Sequence, residues 1–233
     1  MSKKAQFLSE RVTKLKFSYE ALEPIRALYK DFLDDCLPDD IDIGIKAHED
    51  YSEEFEGVSM RWYFAKSERA IALFREVLDG CELHVVRNIV GDKAEKMRVL
   101  QANIIEITGS YPTGRWHSDF TDEGLKLNQS ATVLTPLLDF KPHFGGLETT
   151  AVLRGESLDF DERSTVHTYS EGEAILFDGT GTIHRTQSYK ASPEDKRVLV
   201  CWQLGEIDET MIPVFERIGE KNGDPMFMHE HSV

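Results

Sequence analysis

The chain has 233 residues, of which 40% are hydrophobic and 30% charged, enough to bury the core of one generous domain. Its 42 acidic residues outnumber 27 Lys and Arg, a net charge of −15, which argues against a general nucleic-acid-binding role because neutralising phosphates takes clustered cations. Cys36, Cys81 and Cys201 are odd in number and far apart, with no Cys-x-x-Cys pair, so they signal neither a zinc knuckle nor a redox dithiol and suit a reducing compartment.

The opening stretch MSKKAQFLSERVTKLKF is charged throughout and has no apolar leader region. No run approaches the roughly 18 apolar residues of a membrane span, so a cytoplasmic protein without membrane contact is expected. Next, SYEALEPIRALYKDFLDDCL places Leu22, Ile25, Leu28, Tyr29 and Phe32 at helical spacing behind Ser18 as N-cap. SERAIALFREVLDGC repeats the pattern, with Ser67 as cap, Ile71, Leu73, Phe74 and Leu78 inside and Gly80 as stop. Residues 1–96 therefore read as mainly helical support.

From Met97 the texture changes. MRVLQANIIEITGS, SATVLTPLLDF, LETTAVL, the two halves of EGEAILFDGTGTIHRTQSY, and KRVLVCWQLGE are short β-branched runs separated by Gly, Pro and Asp turns. They predict an antiparallel barrel or sandwich over 97–205. MIPVFERIGEKNG predicts a helix within a 206–233 tail. The fold class is α+β in one domain, with a mainly β core.

The chemistry gathers around GRWHSDFTDEG, residues 114–124. In an extended segment His117 and Asp119 point to one side and Ser118 to the other. His184, far downstream in GTGTIHRTQSY, offers a third ligand from another strand. Two imidazoles and one carboxylate on one face leave positions open on an octahedral metal, the donor set suited to non-haem Fe(II). The same alternation turns Thr182 and Thr186 toward that cavity and Arg185 away. Arg197, among Val198, Leu199 and Val200, is costly to bury unless it meets an anion, and its planar donors match a carboxylate.

Taken in order, His117-x-Asp119, His184 and Arg197 resemble the Fe(II)/2-oxoglutarate-dependent oxygenases of the prolyl-hydroxylase-like kind. HFGGLETTAVL is similar to that family's Gly-Gly-Glu segment, and EGEAILFDGTGTIHRT to its approach to the distal His. The resemblance covers about residues 97–204 and implies a double-stranded β-helix, or jelly roll. It implies Fe(II) on His117, Asp119 and His184, with 2-oxoglutarate as co-substrate, its far carboxylate on Arg197. O2 would be the second co-substrate and ascorbate a stimulant. The implied reaction releases succinate and CO2 and oxidises an unactivated C–H of a small molecule or a protein side chain. Asp119 favours hydroxylation or a related oxidation over halogenation, because family halogenases lack this carboxylate.

The chain departs from the family in three places. Arg197-Val198-Leu199 lacks the hydroxyl that members often carry two residues after the arginine, so a second anchor must come from elsewhere. Glu106 stands where many prolyl-hydroxylase-like members have Tyr, and Tyr111 is the candidate substitute for co-substrate binding. The second Arg of the nucleic-acid demethylases is absent after His184. Two other readings stay open: a jelly-roll sensor that binds without turnover, and a cupin-like metal enzyme that does not use 2-oxoglutarate.

The remaining residues read as follows. Trp116, Phe120 and Cys201 are expected to pack, and His143 and His167 to be exposed. Arg115 faces either cavity or solvent. Gly145, Gly146, Gly179 and Gly181 are expected to be turn glycines with positive φ. Substrate specificity is expected in the helical first third, the 121–130 loop and the 154–170 segment.

Overall fold

Alternating burial sorts the strands of this protein into two antiparallel sheets. A computed structural model describes residues 2–34, 41–45, 59–79, 97–120, 125–151 and 160–222. The strands are β1 (Val12–Lys16), β2 (Ile41–Ile45), β3 (Ser59–Ala65), β4 (Met97–Thr108), β5 (Ser130–Pro136), β6 (Leu147–Ala151), β7 (Thr165–His167), β8 (Glu173–Phe177), β9 (Thr182–Thr186) and β10 (Lys196–Glu206). The helices are α1 (Lys3–Glu10), α2 (Glu23–Leu33), α3 (Glu68–Asp79) and α4 (Ile212–Asn222). The large sheet runs β1-β8-β5-β10-β4-β3-β2 and the small one β7-β6-β9. Two further bridges, Tyr111↔Tyr189 and His117↔His184, lay the 111–117 segment along the free side of β9. The architecture is a double-stranded β-helix with helices against its larger sheet. Among the described residues no helix is long and apolar enough to cross a membrane.

Strand parity divides the core. On β10, Val198, Val200, Trp202 and Leu204 face outward and join Ile25, Leu28 and Phe32 of α2 and Ile71 and Phe74 of α3 in the main apolar cluster. Each such buried side chain contributes roughly 1.5–3 kcal/mol. Trp202, fully buried, donates its indole N–H to the Phe74 carbonyl at 2.9 Å. Leu199 and Cys201 face inward and pack with Leu134, Ile175, Phe177 and Leu147 between the sheets. Phe215 and Ile218 of α4 close one end against Leu100, Phe120 and Leu125.

The strands expected from Met97 onward form where the β-branched runs lie, and the C-terminal helix forms as α4. Ser67 caps α3 by accepting the Ala70 N–H at 3.1 Å. Ser18 instead accepts the Ala21 N–H at 3.4 Å, ahead of a 3-10 turn, Glu20–Leu22, and the N-cap position of α2 falls to Leu22, which has no side-chain capping bond. The first third also supplies β1, β2 and β3, which its helical periodicity did not announce. β1 is five residues long and draws its order from pairing with β8, Val12 opposite Phe177. Cys36, Cys81, Gly80 and residues 121–124 and 152–159 lie outside the described residues.

The glycine expectation is corrected. Among the described glycines, positive φ occurs at Gly109 and Gly172, not at Gly145, Gly146, Gly179 or Gly181. Those four are small because something else comes close. A Cβ on Gly145 would sit 2.1 Å from the Gln187 carbonyl oxygen, and one on Gly146 2.6 Å from that of His167. At Gly179 and Gly181 the obstacles are the Phe120 ring and the Leu127 and Asp178 side chains.

Gly145→Ala should therefore lower stability by about 1–3 kcal/mol, because its obstacle is backbone and cannot swing aside. Chemical denaturation reads this directly; an unchanged midpoint would contradict the close approach.

Candidate metal centre

The β8–β9 turn is built around Asp178, which is fully buried. Its carboxylate accepts the N–H groups of Asn128 at 3.0 Å and of Thr180 and Gly181 at 3.1 Å, with Arg11 Nη1 at 3.7 Å. Burial raises its pKa, and the three N–H donors and Arg11 oppose the rise. The turn launches β9 so that Thr182 and His184 are buried on its inner face.

His117 and His184 exchange two backbone hydrogen bonds, of 3.0 and 2.8 Å. Residues paired this way project to the same side, and the two imidazole centroids lie 4.3 Å apart. Two residues on, Asp119 places Oδ1 3.4 Å from His184 Nε2 and accepts the Thr132 hydroxyl on Oδ2. One donor atom from each of His117, Asp119 and His184 falls within 4.8 Å of the others, the one such group among the described residues.

The surroundings tune these donors. His117 Nδ1 sits 2.9 Å from the Arg115 carbonyl, a contact served by Nδ1–H, which leaves Nε2 with its lone pair for a ligand. His184 packs on Phe177 at 4.7 Å between ring centroids. Burial pushes its pKa down to about 4; Asp119 opposes the shift and His117 adds to it. His184 is thus neutral at neutral pH, the form a metal binds.

Arg197 lies on the inner face of β10, paired across the sheet with Ile107, and is 2% exposed. Its Nε donates to the Gly145 carbonyl at 3.2 Å. The guanidinium carbon is 5.3 Å from the Tyr169 ring centroid and 5.7 Å from that of Phe140. Among the described residues no carboxylate pairs with it. The hydroxyls of Tyr169 and Tyr189, both residues 6% exposed, are buried without a hydrogen-bond partner. Burial pushes both phenols up to about 12, and the nearby Arg197 charge opposes the rise. Neither tyrosine stands out in the sequence, because each follows the end of a short strand, where alternation stops carrying information.

Arg185 points away from the cavity. It pairs with Glu148 and Asp161, both at 2.7 Å, and lies 4.2 Å over the Trp116 ring. Trp116 donates to Asp161 at 3.2 Å, so it packs and ties the 160–164 turn to the ligand segment. Phe120 is buried edge-on against Phe215. Arg115 is exposed, and so is His143, which pairs with Asp195 at 3.1 Å.

His167 departs from expectation. It is half-buried opposite Leu147 on the inner face of the small sheet, with Nε2 2.9 Å from Thr149 Oγ1, and burial lowers its pKa. β7, which puts it there, is only three residues long. Glu106 faces the helices, accepting hydrogen bonds from Tyr29, Tyr63 and Lys196, and so lines no cavity. Tyr111 is buried, exchanges backbone hydrogen bonds with Tyr189 and stacks on its ring at 6.2 Å.

No family model matches the sequence, and no curated protein matches it. Solved structures do share the fold. EctD from S. alaskensis is 20% identical with a TM-score of 0.64, over 88% of this chain and 77% of its own, and one of its structures carries bound Fe at a TM-score of 0.63. HygX from Streptomyces hygroscopicus, with nickel, 2-oxoglutarate and hygromycin B bound, is 16% identical with a TM-score of 0.56, over 87% of this chain and 86% of its own. A prolyl-4-hydroxylase from Pseudomonas putida is 11% identical with a TM-score of 0.55, over 88% of this chain and 98% of its own. The fold is thus the jelly roll seen in iron- and 2-oxoglutarate-dependent oxygenases.

Thr132→Val removes the hydroxyl that holds Asp119. Affinity for Ni(II), measured by calorimetry, should fall about 10- to 100-fold, as for other residues that orient a metal ligand. The second expectation concerns pH. The Arg185 hydrogen bond holds the Glu148 carboxyl below its usual range, with Ser164 adding to the effect. The pair's contribution to stability is complete above the unfolded-state pKa of about 4.3 and is lost as pH falls through the lower folded value. Acid melting curves of Glu148→Gln should therefore fall less steeply below that pH than those of the wild type.

Proposed function

We propose that the protein is an Fe(II)- and 2-oxoglutarate-dependent dioxygenase that hydroxylates, or otherwise oxidises, an unactivated C–H and releases succinate and CO2. One observation carries the reading: the His117, Asp119 and His184 donors converge within 4.8 Å inside a fold whose inner face also buries an arginine that no described carboxylate neutralises. A metal-only site has no use for Arg197; a site for a metal plus an anionic co-substrate does.

His117, Asp119 and His184 would hold the metal, leaving the remaining positions open. Bound there, iron with 2-oxoglutarate and O2 supplies the oxidising power. The protein's part is positional. The neutral His184 imidazole gives a nitrogen donor, and Thr132 fixes the carboxylate orientation. Arg197 takes the far carboxylate of the co-substrate with planar, directed N–H groups. Phe177, Ile175 and Leu199 wall the inner face with apolar carbon and keep water from the polar cluster. Tyr111 would support this pocket from behind Tyr189.

The net charge of −15 favours a small molecule or a protein side chain over a nucleic acid as substrate. A buried Cys201 that forms no disulfide accords with a reducing, cytoplasmic setting.

Purified protein with Fe(II), ascorbate and 2-oxoglutarate should form succinate slowly without substrate, and faster when a metabolite screen supplies one. Asp119→Ala should abolish this while the fold, followed by circular dichroism, survives. Arg197→Ala should raise the 2-oxoglutarate requirement at least about thirtyfold, the effect of truncating one partner of a buried charge pair. Iron binding with neither 2-oxoglutarate binding nor turnover would overturn the reading and leave the cupin-like or sensor alternatives.

A further inference from the structure

We propose that the Tyr169 and Tyr189 hydroxyls complete, with Arg197, a three-donor clamp for the distal carboxylate of the co-substrate. The clamp would replace the hydroxyl that the Arg197-Val198-Leu199 sequence lacks. The inference rests on the reading that 2-oxoglutarate binds here.

Three segments contribute one donor group each: β10, the stretch after β7 and the stretch after β9. Arg197 spends Nε on the Gly145 carbonyl, and among the described residues no carboxylate accepts from its two terminal nitrogens. Beside it, two phenolic hydroxyls are buried and unpartnered. Burying a hydroxyl without a hydrogen bond is costly, and burying an unpaired cation costs more. Three such groups gathered at one place on the inner face share one remedy, a bound anion. A carboxylate has about four lone-pair sites, enough for two guanidinium N–H groups and two hydroxyls.

The hydroxyls are also in the right state and held in place. With pKa values near 12, both phenols remain protonated donors at neutral pH. The Tyr169 ring packs on Phe140 at 5.1 Å, and Phe140 in turn packs on Phe144. Tyr189 is fixed through its backbone by Tyr111 and through its ring by Tyr111 and Phe144. The Tyr169 ring centroid lies 5.3 Å from the Arg197 guanidinium carbon, which keeps the phenol beside the arginine. The guanidinium thus has an aromatic surround, with the Tyr169 and Phe140 ring centroids 5.3 and 5.7 Å from its carbon.

Ni(II)-loaded protein, which does not turn over, separates binding from activity. Calorimetric titration with 2-oxoglutarate should show Tyr169→Phe and Tyr189→Phe each weakening affinity about tenfold, the effect of losing a hydrogen bond to a charged group. Ni(II) affinity should stay unchanged in both. The thermal midpoint of the unliganded variants should hold or rise, since each loses only an unpartnered hydroxyl. Wild-type affinity for 2-oxoglutarate in either variant would overturn the three-donor clamp. So would a fall in the unliganded midpoint with affinity unchanged, which assigns the hydroxyls to structure. Failure of the wild-type protein itself to bind 2-oxoglutarate would appear before any substitution and would remove the co-substrate reading together with the clamp.

Discussion

Two backbone hydrogen bonds between His117 and His184 are the constraint on which the site depends. A metal ligand must be placed to within a fraction of an ångström, and long side chains on separate loops seldom achieve that. A ladder pair does, because both residues then project from one rigid spacing. The remaining geometry follows from it. Asp119 enters by parity from His117, and Thr132, on β5 of the large sheet, fixes its second oxygen. The Asp178 turn and the outer Arg185–Glu148–Asp161 cluster hold β9 from its start and from its back. The polar cluster is thus braced on both sides by satisfied hydrogen bonds before any ligand arrives.

The large sheet divides its labour by face. The outer face is apolar and seals against α2 and α3, where most of the buried carbon lies. Even its buried carboxylate, Glu106, is matched there by Tyr29, Tyr63 and Lys196. The inner face carries the unmatched groups: Arg197, the Tyr169 and Tyr189 hydroxyls and the Asn103 carbonyl oxygen. Polar satisfaction outside and dissatisfaction inside is the pattern of a scaffold carrying a binding cavity. The overall acidity of the chain does not describe that face, where Arg197 has no carboxylate partner among the described residues.

The legibility of the fold followed the length of each element. β4 and β10, eleven or more residues long, and α2 and α3, with full apolar faces, show their period locally. β1 and β7 do not, at five and three residues, because so short a run cannot establish a period. The same limit hid the inward placement of His167. The glycines illustrate a different gap: their identity was plain, but positive φ and close approach both select Gly, and only the packed neighbours tell them apart.

By itself the sequence determined the candidate ligand types, their order along the chain and the i, i+2 parity that puts His117 and Asp119 on one side. It also marked Arg197 as a cation among apolar residues in need of an anion. Only the tertiary structure decided that His184 lies opposite His117, that no described carboxylate reaches Arg197, and that Tyr169 and Tyr189 bring unpartnered hydroxyls to its side. The reason is physical. Parity and periodicity are properties of a few adjacent peptide units. Which strands pair, and which polar groups are left without partners, depends on packing between residues far apart in the chain.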